Sequence, residues 1–180
     1  MSEAKIRRDR TEKLRLITAA GLFSALVFVF TAYLHIPTGA GYTHAGDGII
    51  YLAACLLPAP YAVAAGVIGG GLADALSGYP VWIPATVVIK ALTALCFSRR
   101  TKRILCPRNI AAILPSAVLC VVGYSLYEGI VMTKSLSVSA IIAAFSQTPS
   151  YLVQIGASSL LFIAVAAALD KTDLRRKLFS

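Results

Sequence analysis

The chain has 180 residues, of which 58% are hydrophobic and 14% are charged, with a formal net charge of +9 and a mean hydropathy of +0.77. Soluble domains carry about a quarter charged residues, so this composition excludes an ordinary soluble protein and is typical of a polytopic membrane protein. The basic excess does not indicate a nucleic-acid partner, because Lys and Arg flank apolar segments instead of alternating with aromatic residues on one face.

The first apolar segment runs from Leu16 to Ile36. It is about twice as long as a signal-peptide core and can cross a bilayer, so it is predicted to be a permanent transmembrane helix. A basic cytoplasmic segment, residues 1–13, precedes it. Gly21 and Ala25 form a small-xxx-small pair on this helix, which allows another helix to approach closely, in this chain or in a partner.

Fifteen of the 17 basic residues fall in three clusters, at 5–15, 99–108 and 171–177. Cytoplasmic segments near membrane spans retain excess Lys and Arg, so the chain should cross the membrane an even number of times between neighbouring clusters. The apolar stretch 47–76 is therefore predicted to divide at residues 58–60, where two prolines disfavour a continuous helix. Both termini are then predicted to be cytoplasmic.

The predicted fold class is an all-α polytopic membrane protein with a single six-helix transmembrane domain, residues 14–169, and a basic cytoplasmic tail, residues 170–180. The second helix is too short to span a bilayer alone and is expected to lie partly within protein. A short apolar surface helix is expected from Val138 to Phe145. The six predicted helices are residues 14–35, 46–57, 60–76, 82–98, 110–132 and 148–169.

Five strongly polar side chains fall in the outer half of the predicted spans. They are Asp47, Asp74, Lys90, Glu128 and Gln154. Each is costly if it faces lipid. We therefore expect all five to face one cavity that opens to the outside and binds a ligand.

These polar residues also have structural interpretations. Lys90 and Asp74 lie on neighbouring helices and could neutralise one another instead of contacting a ligand. If Lys90 pairs with Asp74, no basic residue of the predicted helices remains to neutralise Asp47 or Glu128, so a ligand is the favoured partner of both. Asp47 could also cap the second helix. Gln154 could equally join helices through hydrogen bonds.

Aromatic and imidazole groups add to the predicted cavity. The candidates are Tyr42, His44, Tyr79 and Tyr124. Trp82 is better explained by the aromatic belt at the membrane interface. The loop at residues 36–48 holds four glycines and is predicted to close over the cavity as a gate.

Catalysis is the less favoured alternative. His44, Asp47 and Ser77 could be imagined as a hydrolase constellation, but the sequence has no Gly-x-Ser-x-Gly elbow and no HExxH pair. The four cysteines lack CxxC spacing and are interpreted as packing residues. No catalytic residue, cofactor or metal is predicted. A self-sufficient carrier remains a further alternative.

The chain resembles the substrate-binding S components of energy-coupling factor (ECF) transporters, and more narrowly the branch grouped with riboflavin and hydroxymethylpyrimidine S components. The resemblance depends on the glycine-rich loop running into Tyr42-Thr-His-Ala-Gly-Asp47, on Ala73-Asp74 followed by Ser77-Gly-Tyr-Pro80, and on the pair Gly21 and Ala25.

The resemblance implies a high-affinity binding subunit for a vitamin or related micronutrient in the plasma membrane of a prokaryote. Its partners would be a transmembrane coupling subunit and two cytoplasmic ATPases. This chain has no GxxxxGK[ST] loop of its own. Gly21 and Ala25 match the positions that dock on the coupling subunit in the family.

The substrate prediction combines charge with aromatic character. Asp47 and Glu128 supply surplus acceptors, which suit a ligand with cationic or multiple N–H groups. Tyr42, Tyr79 and Tyr124 could flank a flat ring. A queuine or queuosine deazaguanine fits both features, and the chain is similar to the S-component branch associated with queuosine salvage. Hydroxymethylpyrimidine, pyridoxine, thiamin and riboflavin remain alternatives.

Overall fold

The computed structural model describes residues 3–38, 41–134 and 137–172, so the predicted tail beyond Thr172 lies outside the described residues. The described chain is mainly helical. Its α-helices are α1 Glu3–Ala32, α2 Gly46–Leu56, α3 Ala59–Leu76, α4 Ile83–Cys96, α5 Pro107–Ala111, α6 Ile113–Leu126, α7 Val138–Ala144 and α8 Thr148–Asp170. A π-helical turn, Tyr127–Met132, extends α6, and short 3-10 turns at Pro80–Trp82 and Phe145–Gln147 precede α4 and α8.

Among the described residues, four helical segments are long and apolar enough to cross a membrane, and two shorter apolar helical segments accompany them. The long segments are Lys5–Ala32, Ala59–Leu76, Pro107–Met132 and Val138–Asp170, and the shorter ones are Gly46–Leu56 and Pro80–Cys96. Each of the six predicted helices overlaps one of these six segments. The all-α membrane class is therefore confirmed, while the number of crossings and the side of each terminus stay predictions.

The break between α2 and α3 lies at the predicted prolines. Pro58 has an extended ψ of 146° and precedes α3, whose first turn contains Pro60. Proline fits the first turn of a helix, where no intrahelical N–H donor is needed, and it disfavours a helical conformation in the residue before it. The division of the stretch 47–76 into two helices is therefore confirmed.

Helix α2 lies at the centre of the bundle. All of its 11 residues are buried, and it packs against α1, α3, α4 and α8. At 1.5 Å per residue it is about 16 Å long, roughly half the hydrocarbon thickness of a bilayer. A helix this short is tolerated because protein surrounds it instead of lipid, as the sequence predicted.

Glycines on α3 allow the neighbouring helices to approach closely. A Cβ added at Gly69 would lie 2.7 Å from Cβ of Val27 on α1, and one at Gly70 would lie 3.0 Å from the methyl group of Thr86 on α4. Helices in lipid pack through such small residues. The small-residue pattern of α3 thus serves packing within this chain.

A two-stranded antiparallel hairpin follows α1. Strand β1, His35–Thr38, pairs with β2, Gly41–His44, in a register that places His35 opposite His44. The predicted first helix, 14–35, therefore ends too late, because the chain leaves α1 at Ala32 to form this hairpin. The hydroxyl of Thr43 donates to the carbonyl oxygen of Ser150 at 2.9 Å and ties β2 to α8.

The opposite end of the bundle carries the loop with the middle basic cluster. The Asp170 carboxylate, at the end of α8, accepts hydrogen bonds from the backbone N–H groups of Ile104 and Leu105, both at 2.9 Å. The buried side chain of Asn109 bonds to Ser98 through both its oxygen and its nitrogen. The 99–108 cluster and the end of α8 therefore lie together.

Candidate functional site

A cavity opens at the hairpin end of the bundle, between the hairpin, α3, α4, the π-helical turn and α8. The empty space in it, counted together with the open solvent at its mouth, is about 440 Å³. Its lining residues are Thr38, Gly41, Tyr42, His44, Asp74, Trp82, Thr86, Tyr124, Glu128, Gln147, Tyr151 and Gln154.

Six of the nine residues predicted from the sequence to bind substrate line this cavity. They are Tyr42, His44, Asp74, Tyr124, Glu128 and Gln154. The other three lie behind the lining: Asp47 and Lys90 are buried in the bundle, and Tyr79 packs against the ring of Tyr42 with 4.8 Å between ring centroids. The cavity wall thus brings together groups from five separate elements, and their role in binding remains a prediction.

The sequence missed several lining residues. Thr86 lies four residues before Lys90, and Tyr151 lies three residues before Gln154, spacings that place each pair on one helix face. Applying that spacing to the predicted polar residues would have found both. Trp82, assigned to the membrane interface, is 5% exposed and lines the cavity.

The ion pair predicted for Lys90 is wrong in its partner. Nζ of Lys90 lies 2.6 Å from Oδ1 of Asp47, and the two side chains are only 2% and 4% exposed. Because α2 lies at the centre of the bundle, Asp47 reaches α4 although α2 and α4 are not neighbours in sequence. Asp47 is therefore neutralised by a cation inside the protein and does not face the cavity.

The second oxygen of Asp47 is also engaged. Nε2 of Gln154 donates to Oδ2 of Asp47 at 2.8 Å. No side-chain hydrogen bond caps α2, so the capping role predicted for Asp47 is wrong as well. Nδ1 of His44 accepts from the backbone N–H of Gly46 and so does not donate to Asp47, as the histidine of a catalytic triad donates to its carboxylate, which disfavours the hydrolase constellation.

Two other carboxylates, those of Asp74 and Glu128, belong to residues of the cavity wall. The hydroxyl of Tyr42 donates to Oδ1 of Asp74 at 2.5 Å. Among the residues that the structure describes, Oδ2 of Asp74 and Oε2 of Glu128 are buried and have no hydrogen-bond partner. A buried polar atom without a partner is unfavourable. Both oxygens belong to residues of the cavity wall, and the side chain of Asp74 also interacts with that of Thr86.

His44 adds a hydrogen-bond donor. Its Nδ1 accepts the backbone N–H of Gly46 at 3.1 Å. Burial, and next the positive charge of Lys90, lowers the pKa of His44 to about 3. The ring is therefore neutral at ordinary pH, and since Nδ1 is an acceptor, Nε2 carries the proton.

Aromatic rings form the rest of the wall. The ring of Tyr124 lies nearly parallel to that of Tyr151, at 5.9 Å between centroids and an angle of 19°. It meets Trp82 edge to face at 5.7 Å. The Tyr124 hydroxyl is 3.1 Å from Oγ1 of Thr86. Apolar faces with polar groups at their rims suit a flat, partly polar molecule.

Within residues 3–38, 41–134 and 137–172, no group of three or more His, Cys, Asp or Glu side chains could hold a metal ion. The residues of the cavity wall supply carboxylate, amide, imidazole and aromatic groups that can recognise a small molecule.

A protein-family model matches most of the chain. The family model described as ECF-type riboflavin transporter, S component, matches residues 11–171, which include every helix that borders the cavity. None of the curated proteins compared with the chain matches it.

Proposed function

Because the chain belongs to the family of ECF-type riboflavin transporter S components, we propose that the cavity at the hairpin end binds a flat nitrogen heterocycle with several N–H donors. Proteins of this family are substrate-binding subunits of micronutrient importers, and they work with an ECF module. The substrate of this particular chain is the finer question, and the chemistry of the cavity wall supports an answer.

The proposal depends on one observation, the two buried and unpartnered oxygens of Asp74 and Glu128. The cation nearest to them in the bundle, Lys90, is neutralised by Asp47. The wall therefore has a surplus of acceptors. An ionised carboxylate accepts hydrogen bonds only, and two adjacent N–H groups of a ligand can bind it in parallel. A ligand with a negative charge would meet repulsion here.

A guanine-type edge complements this wall. It carries two adjacent N–H donors beside a carbonyl acceptor, which would pair with a carboxylate and with the Nε2 proton of His44 respectively. The rings of Trp82, Tyr124 and Tyr151 would contact the faces of the heterocycle. Queuine adds an amine, which the second carboxylate would accept. A queuine or queuosine deazaguanine is therefore our first choice.

Hydroxymethylpyrimidine, thiamin, pyridoxine and riboflavin are the alternative substrates. The first two carry an aminopyrimidine that can also donate to a carboxylate. Riboflavin is included because the matching family is named for it. Its ring edge offers one imide N–H between two carbonyls, so it would leave more of the acceptor oxygens without a partner.

We further propose that the cavity opens to the outside of the cell and that the hairpin closes it. Strand β2 supplies Gly41, Tyr42 and His44 to the wall, so movement of the hairpin would open or cover the site. Gly21 and Ala25 are exposed on α1, and a Cβ at Gly21 would meet no atom within 4 Å. This supports the use of that face for the coupling subunit.

Calorimetric titration of the purified protein tests the substrate assignment. The panel comprises queuine, queuosine, hydroxymethylpyrimidine, pyridoxine, thiamin and riboflavin, with thiamin phosphate as an anionic probe. We expect the tightest binding from queuine or queuosine and little from thiamin phosphate. Tighter binding of the phosphorylated compound than of thiamin would contradict the acceptor-rich site, and tightest binding of riboflavin would replace the deazaguanine.

A further inference from the structure

We propose that the buried Asp47–Lys90 ion pair fixes the side-chain amide of Gln154 so that its oxygen, and not its nitrogen, faces the cavity. Gln154 would then be a third acceptor that selects ligands by their N–H groups. Asp47 and Lys90 would be positioning residues that never touch the ligand. Only the selection of ligands depends on the proposed function, since the orientation of the amide is a property of the empty protein.

The ion pair makes Asp47 an obligatory acceptor. With Nζ of Lys90 at 2.6 Å from Oδ1, the carboxylate is ionised and carries no proton to donate. A neighbouring amide can then bind Oδ2 only through its NH₂ group. An amide turned the other way would bring its oxygen against Oδ2, and two acceptors in contact inside a buried site repel one another.

Both hydrogens of the Gln154 amide point away from the cavity. Nε2 donates to Oδ2 of Asp47 at 2.8 Å and also lies 3.6 Å from the sulfur of Cys120. Gln154 is 2% exposed and yet lines the cavity, whereas Asp47 and Lys90 do not. Since the nitrogen is engaged within the bundle, Oε1 is the polar atom that remains for a ligand.

The competing interpretation is that Gln154 only joins α8 to α2. That role explains its bond to Asp47 but assigns no function to an amide oxygen at the cavity wall. The two interpretations predict different results when the hydrogen-bond acceptor at position 47 is replaced by a donor. We therefore choose the charge-neutral double substitution Asp47→Asn/Lys90→Gln. The amide introduced at position 90 can donate to the oxygen at position 47, so that the new NH₂ group there points toward Gln154.

Hydrogen exchange of the glutamine side chains tests the orientation without any ligand. The chain contains two glutamines, Gln147 and Gln154, so selective nitrogen-15 labelling gives two amide signals, which a Gln147→Ala variant assigns. The double variant adds a third signal from position 90, and introducing Gln154→Leu into that variant identifies the signal of Gln154. In the empty protein we expect the Gln154 hydrogens to exchange at least tenfold more slowly than those of Gln147. In the double variant they should exchange faster, because the amide turns its nitrogen to the cavity.

Two results would overturn the proposed orientation. One is equal exchange at Gln147 and Gln154 in the unmodified protein. The other is slow exchange at Gln154 that persists in the double variant, which would mean that burial alone protects the amide. Both results are independent of which micronutrient the protein binds.

Binding of queuine tests the selectivity. Gln154→Leu is expected to weaken binding roughly five- to a hundredfold, the usual effect of leaving a ligand donor without its acceptor. The double variant should weaken it to a similar extent. Combining all three substitutions should add little, because Asp47 and Lys90 act through Gln154.

Ser158→Ala, one turn further along α8, is the control and should bind queuine normally. If the losses of affinity add up in the triple variant, the positioning role of Asp47 and Lys90 is refuted. If Gln154→Leu binds queuine as tightly as the unmodified protein, the contact between Gln154 and the ligand is refuted. If queuine does not bind the unmodified protein at all, the substrate assignment fails, and the exchange measurement alone decides the orientation of Gln154.

Discussion

Tyr42 of the hairpin donates its hydroxyl proton to Oδ1 of Asp74 on α3, at 2.5 Å and across 32 positions of sequence. The bond ties a strand that lines the cavity to one of the two carboxylates in its wall. Its ring also packs against those of His35 and Tyr79, at 4.9 and 4.8 Å between centroids. The position of the hairpin and the hydrogen bonding of Asp74 are therefore linked.

Tyr42→Phe tests this link. The substitution keeps the ring contacts and removes the bond to Asp74, so the hairpin should open more readily. A hydrogen bond to a charged group contributes about 1.5 to 3 kcal/mol, and we expect bound ligand to dissociate about tenfold faster or more. Stopped-flow measurement of dissociation checks this. Tyr33→Phe, at an exposed position, is the control, and equal rates in both variants would exclude a closing role for the bond.

Asp74→Asn and Glu128→Gln test the acceptor-rich site. Each replaces an acceptor-only carboxylate by an amide with one oxygen, which loses a charge-assisted hydrogen bond to the ligand. We expect affinity to fall by roughly ten- to two-hundredfold for each variant. Calorimetry on purified protein measures it. Asp9→Asn, on the exposed N-terminal part of α1, should bind normally, and full affinity in both cavity variants would remove the basis of the proposed ligand class.

The lowered pKa of the buried His44 predicts how the stability of the protein depends on pH. Its pKa is about 3 in the folded protein and ordinarily 6.5, so the unfolded chain binds more protons between these values. The contribution of the neutral His44 to the free energy of unfolding is therefore complete above about pH 6.5. As the pH falls toward 3, this free energy decreases by at most about 1.4 kcal/mol per pH unit. In His44→Asn, whose amide oxygen can still accept from Gly46, Tm should fall less between pH 7 and 4. Parallel Tm curves would contradict a neutral, buried His44.

Gly21 and Ala25 test the proposed coupling surface. Both are exposed on α1, so replacing both with Leu should leave ligand binding intact and abolish uptake, because a docking helix needs close approach. Gly156→Leu on α8 is the matched control, since a Cβ there also meets nothing within 4 Å, and it should preserve uptake. The test compares calorimetry with uptake by whole cells. Parallel loss of binding and uptake would mean that this face serves folding.

Single cysteines in a cysteine-free background test the topology. A cysteine at the exposed position 36 of the hairpin should react with an impermeant reagent added outside the cell. One at the exposed position 102 in the basic loop should be protected until the membrane is permeabilised. Protection at 36 together with labelling at 102 would reverse the proposed orientation. Labelling of both positions from outside would require an even number of crossings between them and would refute the three that the predicted helices give.

Much of the helical framework was predictable from the sequence, because its signals are local. The prolines at positions 58 and 60 act on their own and adjacent residues, and apolar segments of sufficient length indicate membrane helices wherever they occur. The hairpin at residues 35–44 was not predicted. Its pairing depends on contacts with α3 and α8, including the bonds of Tyr42 and Thr43, which no local pattern indicates.

The sequence by itself determined that the chain is a helical membrane protein and that its intramembrane polar residues are few enough to be functional candidates. Only the tertiary structure decided which of them meet. Asp47 lies 43 positions from Lys90 and 107 from Gln154, and it pairs with both because α2 lies at the centre of the bundle. Periodicity relates side chains within one or two helical turns, whereas contacts between helices depend on how all of them pack. This is why Asp74, and not Asp47, faces the cavity with Glu128.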